Sequence, residues 1–403
     1  MLPNIKGDIV MGKLSMDLYL ENLSKRYHKA NKSEKTRILN ELCSSSGFHK
    51  KHAIRLLNKG LKKQKRATNK GRPSLYPAHI YLEPLKRIWF LSDQLCGKRL
   101  KMALPLWLPY YAGSYEILEP VVYEGLLSMS AATIDRLLTS IRVTSKRSLC
   151  GTKPGSILKK HIPIKTEQWD AEKPGFLEAD TVAHCGTSLS GSFVWSLTMT
   201  DINSGWTEMR AVWNKGAAGV VMQIQDIEQN LPFIILGFDC DNGSEFLNWH
   251  LMRYFSNEQG IHRVQFTRSR PYHSDDNAHV EQKNWTHVRQ LFGYDRFDNQ
   301  TVVELMNDLY KNEISKMNNY FLPNFKLIEK RRVDEKIIKK HSKPATPYQR
   351  LMQSEHITQA KKQELTEIYN QLNPFELKKT IQKKLNKILM IAHVIGNKEI
   401  CYI

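Results

Sequence analysis

Residues 176–186 read FLEADTVAHCG. This apolar, β-prone run carries Glu178 and Asp180 two residues apart, hence on one face of a strand. Residues 234–246 read IILGFDCDNGSEF, a second apolar run that ends on Asp239 and Asp241 before an Asn-Gly turn. Residues 269–285, SRPYHSDDNAHVEQKNW, lead into a predicted helix with Glu281 near its start. Two strand-end aspartates, Asp180 and Asp241, and one helical glutamate, Glu281, can converge on one edge of a sheet. Such an oxygen-only set suits Mg²⁺ or Mn²⁺. Two such ions can clamp the attacking and leaving oxygens of a phosphodiester. Glu178 and Asp239 share strand faces with the chosen residues and stand as alternatives. Glu245 reads as a supporting residue.

Around these three segments the pattern predicts strands over 176–182, 193–201, 205–212, 232–238 and 263–267, and helices over 216–230, 244–259, 277–292 and 301–315. A strand meander followed by βα units gives an α/β, ribonuclease-H-like core with a mixed sheet over 175–318. Residues 319–350 read as a small basic β-type region and 351–403 as a helical tail.

The chain has 403 residues, a formal net charge of +20 and a pI of about 9.5, which points to a polyanionic partner. The excess is concentrated at the front: residues 1–74 hold 18 Lys and Arg against 5 Asp and Glu. Helical spacing predicts a helix over 16–30, a second from Ser33, a break at Ser44–Gly47, and a third, basic helix from Phe48. Helix, glycine-containing turn and basic helix make a helix-turn-helix over 1–60. In such a motif the second helix of the pair enters the major groove. His49, Lys50, Lys51 and Arg55 lie on its polar side. A basic linker follows over 61–74, where Gly71-Arg72-Pro73 resembles a minor-groove hook built on Arg72. Residues 75–143 form a second helical region, with a possible further recognition helix from Ser130, and 144–174 a second linker.

The six cysteines are scattered and include no CxxC, which suits a reducing cytosol. No apolar run approaches membrane-spanning length, and no secretory signal follows the first basic residues. A cytoplasmic, nucleoid-associated protein is expected.

The chain resembles bacterial insertion-sequence transposases of the retroviral-integrase (DDE, integrase catalytic core) superfamily. The resemblance rests on Asp241-Asn242-Gly243-Ser244-Glu245-Phe246 and on Pro271 through Glu281 with Asp276-Asn277-Ala278. Spacing adds to it: 60 residues separate Asp180 from Asp241, and 39 separate Asp241 from Glu281. The resemblance implies that Asp180, Asp241 and Glu281 are both catalytic and metal-binding, with two Mg²⁺ (or Mn²⁺) ions. It implies double-stranded DNA partners, both element terminal repeats and target DNA, and a homo-oligomer that pairs two ends. Relatives place a lysine or arginine one or two turns after the glutamate. Here those positions hold Trp285 and Val288, and the nearest cations are Lys283, His287 and Arg289. Lys283 and Arg289 are the expected DNA contacts. Two other readings are a ribonuclease-H-like nuclease that only hydrolyses and a transposase-derived DNA-binding regulator.

Overall fold

The computed structural model describes residues 13–58, 74–144, 172–240, 245–246, 249–257, 259–268, 278–333 and 336–396. Asp241, Arg72 and nearly all of the two expected linkers lie outside them. The chain divides into two units, Met1–Leu75 and Tyr76–Ile403.

The first unit is three helices: α1 (Lys13–Lys29), α2 (Lys32–Ser46) and α3 (Lys50–Asn58). Asn31 opens α2 with a capping box: its side chain accepts from Glu34 N while Glu34 reaches back to Asn31 N. Gly47 ends α2 at φ 68°, a conformation that only glycine adopts without strain, and so sets the turn into α3. Leu23, Tyr27, Ile38, Leu39, Leu42, Ala53 and Leu57 close a core of this unit's own.

In the second unit, α4 (Ala78–Leu91), α5 (Gly97–Trp107), α6 (Pro120–Ser128) and α7 (Ala131–Thr144) pack together. The sheet strands are β1 (Phe176–Ala183), β2 (Val194–Asp201), β3 (Thr207–Trp213), β4 (Gly237–Cys240) and β5 (Gln265–Arg268), in the order β3-β2-β1-β4-β5. The first three make an antiparallel meander, and β4 and β5 add parallel to β1. This mixed five-stranded sheet with flanking helices fits a ribonuclease-H-like core. Helices α8 (Ala217–Asn230) and α9 (Trp249–Tyr254) connect the later strands. After β5, α10 (Ala278–Lys283) runs through widened, i→i+5 turns at Asn284–Arg289 into α11 (Gln290–Phe292). The long helix from α12 (Thr301–Leu309) likewise widens at Tyr310–Ile314 and Met317–Phe321.

The expected strand at 232–238 shifts to Gly237–Cys240. Leu231 and Ile235 are buried there in irregular chain, so apolarity alone marked the wrong residues. The basic region is a hairpin of β6 (Leu327–Val333) and β7 (Lys336–His341), followed by α13 (Pro347–Gln353), α14 (Gln359–Asn370) and α15 (Pro374–Gly396). No described helix is long and apolar enough to cross a membrane.

The free edge of β3 is covered by side chains. Asn307 takes both groups of Ala211, accepting from its N–H at 2.6 Å and donating to its carbonyl at 3.0 Å. Asn319 does the same for Thr207, at 2.9 and 3.0 Å. Between them, Arg210 Nη1 donates to Met209 O at 2.7 Å. Unpaired strand edges template association, and these amides stand in for a missing neighbour. The α4–α7 layer joins the same core: Trp107 Nε1 donates to Phe321 O at 3.2 Å, and its ring packs edge-on to Phe375. Asp135 of α7 accepts from Gly97 N at 2.9 Å, at the start of α5.

Candidate active site

Alternation along β1 puts Glu178 and Asp180 on one face, as the sequence requires. Helix α10 packs on β1 and β2. Glu178 is fully buried and accepts from Val280 N at 3.0 Å. Its carboxylate thus ties down the first turn of α10, where helix N–H groups favour negative charge. Asp180 is part-exposed at the next position on that face. Thr181 N donates to its Oδ1 at 2.7 Å, and Asn284 Nδ2 donates to its Oδ2 at 2.6 Å. Asn284 lies three residues after Glu281, so the helix that carries Glu281 also grips Asp180. Glu281 itself is exposed in the first turn of α10.

The neighbouring acids divide their roles by contact. Asp239 pairs in parallel register with Glu178, and Thr267 Oγ1 on β5 donates to it at 2.6 Å. Cys240, the last described residue of β4, lies beside Ala179, and Asp241 follows it in sequence. Glu245 is fully buried, paired with Lys215, and accepts from Thr181 Oγ1 at 3.2 Å. Lys215 also lies over the Trp195 ring. Among the described residues no three His, Cys, Asp or Glu side chains form a metal cage. The side chains of Asp180 and Glu281 offer oxygen donors only, a chemistry that suits a hard divalent cation rather than a soft one. Beside them Asn284 Oδ1 is buried without a hydrogen-bond partner among the described residues.

The expected DNA contacts fall in two places. Lys50, Lys51 and Arg55 are exposed on α3, and His49, the residue before it, is exposed too, while Ala53 and Leu57 are buried in the core of the first unit. In the second unit Lys283 is half-buried, and burial with the like charges of Arg99 and Arg350 pushes its ammonium down to about 7. Burial and the charges of Lys283 and Arg99 hold His287 well below its ordinary value. Arg289 is half-buried, with its guanidinium 4.6 Å from the centre of the Tyr294 ring and Nη1 donating to Gly293 O at 3.4 Å. The widened turns at Asn284–Arg289 carry it off the regular helical spacing that would align it with Glu281. The Trp285 indole is 37% exposed.

His184 and Cys185, adjacent to the site in sequence, do not form a metal pair. His184 is fully buried, stacked on Phe297, with Nε2 2.7 Å from Ser196 Oγ, which in turn meets Tyr310 OH at 2.7 Å. Burial pushes its imidazole down to about 3.

The protein y4rM of Sinorhizobium fredii, itself uncharacterized, is 36% identical over 336 residues, which cover 82% of this chain and 93% of that protein. The chain belongs to the y4rM family. No family model matches it. Solved structures with some likeness include the catalytic core domain of BIV integrase (16% identity, 45% of this chain and 96% of that one, TM-score 0.27). Another is the HTLV-2 integrase catalytic core domain in complex with magnesium (14% identity, 38% and 90%, TM-score 0.27). A third is a simian T-cell lymphotropic virus intasome in complex with PP2A regulatory subunit B56 gamma (12% identity, 48% and 63%, TM-score 0.30).

In this y4rM-family chain the residue that sequence reasoning missed is Asn284. Its signal was present: an amide three residues after a helical acid, on the same side of the helix. The contribution of Arg99 and Arg350 to the flank of Lys283 had no local signal, because they lie 184 and 67 residues from it in sequence.

Proposed function

We propose that the protein is a DNA transposase of integrase type, which binds element ends, nicks them and joins the 3′-OH ends to target DNA. The observation that carries this reading is Asp180, on the central strand, bonded by Asn284 from the helix that bears Glu281. Asp180 and Glu281, with Asp241, would hold two Mg²⁺ or Mn²⁺ ions. When bound, such ions activate the attacking oxygen and stabilise the leaving oxygen of a phosphodiester in line.

The chain's own residues have distinct tasks. Asn284 and Thr181 N–H help fix the orientation of the Asp180 carboxylate. Glu178 holds α10 in place through Val280 N, and Glu245 with Lys215 supports Thr181 from below. The first unit offers the exposed cations of α3 to a duplex end, and Arg72 continues that basic stretch in sequence. Lys283 and Arg289, on the helix of Glu281 and its continuation, would contact the duplex from the second unit. A homo-oligomer pairing two ends fits a reaction on two termini. No covalent protein–DNA step is required, so no serine or tyrosine nucleophile is needed.

The test is a strand-joining assay with Asp180→Asn, Asp241→Asn and Glu281→Gln. Each amide keeps the side chain's shape and removes the charge that holds the cation. Each variant is expected to lose Mg²⁺-dependent nicking and joining while binding end duplexes within about twofold of wild type. Cutting without joining by the wild-type protein would make it a hydrolytic nuclease. Binding alone would make it a regulator.

A further inference from the structure

We infer that a cavity beside the widened turns of the second unit binds a small, neutral heterocycle that carries a ring carbonyl next to a ring N–H. The inference stands apart from the proposed DNA reaction. The cavity holds about 210 Å³, smaller than the clefts that take drug-sized ligands and suited to a single compact ring system. Its walls come from the end of α4, the widened stretch Asn284–Arg289 with α11, the extension of α12, and α15. All three widened segments among the described residues meet there: Thr286 and His287 from the first, Ile314 from the second and Asn318 from the third. Widened turns are rare and gather at functional sites.

Asn318 gives the site its chemistry. Its side chain lines the cavity, is 8% exposed, and has an Nδ2 group without a hydrogen-bond partner among the described residues. A buried donor left unsatisfied is costly, and a ligand carbonyl oxygen would satisfy it. Gln290, also in the wall, offers both an acceptor and a donor to a neighbouring ring N–H and carbonyl. Phe90, Leu291, Ile314 and Met317 supply an apolar surface for the ring itself. The charges at the cavity cancel. Asp93 and Lys378 both line it but pair with each other at 2.7 and 2.8 Å. Burial and the cations Lys283 and Arg99 keep His287 neutral. A charged ligand would have to compete with the Asp93–Lys378 pair, whereas a neutral one leaves it intact. The rim is fixed as well: Asp93 and Gln94 are left-handed at φ 57° and 55°, and Gln94 N donates to Trp89 O at 2.8 Å. Residues other than glycine keep such angles where their surroundings impose them, as at ligand clamps. A lactam ring, the chemistry of the nucleobases, matches an amide donor, a second amide and an apolar wall together.

The experiment uses the full-length protein and free thymine as probe, with toluene as an apolar ring lacking a carbonyl and benzoate as an anionic one. Binding is followed by saturation-transfer NMR and by the thermal unfolding midpoint across a ligand titration. Thymine is expected to bind saturably and raise the midpoint, while toluene and benzoate do neither. Asn318→Leu should unfold at a higher temperature than wild type without ligand, because an unpaired donor has gone. Its thymine affinity should fall about two- to tenfold, the worth of one neutral hydrogen bond. Leu291→Phe, which fills the cavity while leaving Asn318 in place, should abolish thymine binding. A short thymidylate strand tests the source of the ring. Protection by free thymine marks a small-molecule site, and protection by the strand alone, lost in Asn318→Leu, places the ring on single-stranded nucleic acid. Toluene binding as well as thymine would overturn the assignment in favour of an apolar cleft, and stronger benzoate binding in favour of an anion site on Lys378. Thymine affinity unchanged in Asn318→Leu or in Leu291→Phe, or no binding to wild type, also overturns it. A lower midpoint in Asn318→Leu makes the amide a strut of the core and ends the argument from its donor.

Discussion

Replacing Asn284 by alanine separates a positioning role from a packing role. The bond from Asn284 Nδ2 to Asp180 Oδ2, at 2.6 Å, ends on a carboxylate. Hydrogen bonds to charged groups contribute about 1.5–3 kcal/mol. The same side chain carries a buried Oδ1 without a partner among the described residues, and such an atom costs about 1–3 kcal/mol. Alanine removes both, so the two effects on folding nearly cancel and the unfolding temperature should stay within a few degrees of wild type. Orientation of Asp180 has no such compensation. Without the amide the carboxylate loses its 2.6 Å bond from Asn284, is less firmly oriented, and holds a cation less well. Spread over the barrier, about 1.5–3 kcal/mol corresponds to a roughly ten- to hundredfold loss of joining. The loss should be partly recovered at higher Mn²⁺, because the defect lies in ion holding. The assay is single-turnover joining across a Mg²⁺ and Mn²⁺ titration, paired with thermal unfolding. Unfolding lowered by ten degrees or more, with an unchanged metal midpoint, would refute the reasoning and make Asn284 a strut of the core.

Three further outcomes are expected. The fragment 1–75 should bind an end duplex without metal, and alanine at Lys50, Lys51 and Arg55 should flatten its salt dependence by about 0.9 per lost phosphate contact. Footprinting or anisotropy on the fragment checks this, and binding that ignores all three changes would argue for a solvated arm. Asn307→Ala should cost about 2–4 kcal/mol, because both groups of Ala211 lose their partner. Together with Asn319→Ala it should give concentration-dependent association visible in sedimentation, since a bared strand edge recruits other strands. Acid sensitivity should trace to His184, whose buried imidazole is pushed down to about 3 from an unfolded value near 6.5. Between those values the unfolded chain binds the extra proton, so stability falls as pH falls below about 6.5, by up to about 1.4 kcal/mol per unit. Buried Glu208, raised by burial, acts in the opposite sense. Chemical denaturation of His184→Gln should show a flatter pH profile than wild type over that window.

The sheet was largely readable in the sequence because β1, β2 and β3 have strong apolar runs closed by Ser-Gly and Asn-Ser-Gly turns. Each starts and ends within two residues of its expected place. β4 was misplaced because Leu231 and Ile235 are as buried as strand residues without pairing. Helical spacing located the helix of Glu281 but assumed 3.6 residues per turn throughout. The widened turns after Lys283 therefore could not be foreseen, and they decide where Trp285 and Arg289 face. The choice between Glu178 and Asp180 was open in the sequence, since both share a face. Their surroundings differ in ways that no local pattern announces: Glu178 is buried and accepts from Val280 N, while Asp180 is part-exposed and accepts from Asn284. Long-range partners such as Arg350 and Asn324 leave no local pattern.

The two asparagines on the β3 edge also set a length rule. They are twelve residues apart in one long helix. At about 3.6 residues per turn, twelve residues make about three and a third turns, which would point the two amides roughly 120° apart. The widened turns at Tyr310–Ile314 and Met317–Phe321 take more residues per turn and return both to one side. The number of residues between them is therefore under constraint independently of what those residues are. A single deletion within 308–318 would leave both asparagines and nearly all the apolar content in place, yet swing one amide about 100° away from the strand. This helix is built to absorb substitutions and to reject changes of length, so natural variation along it should appear as exchanged residues and not as gaps.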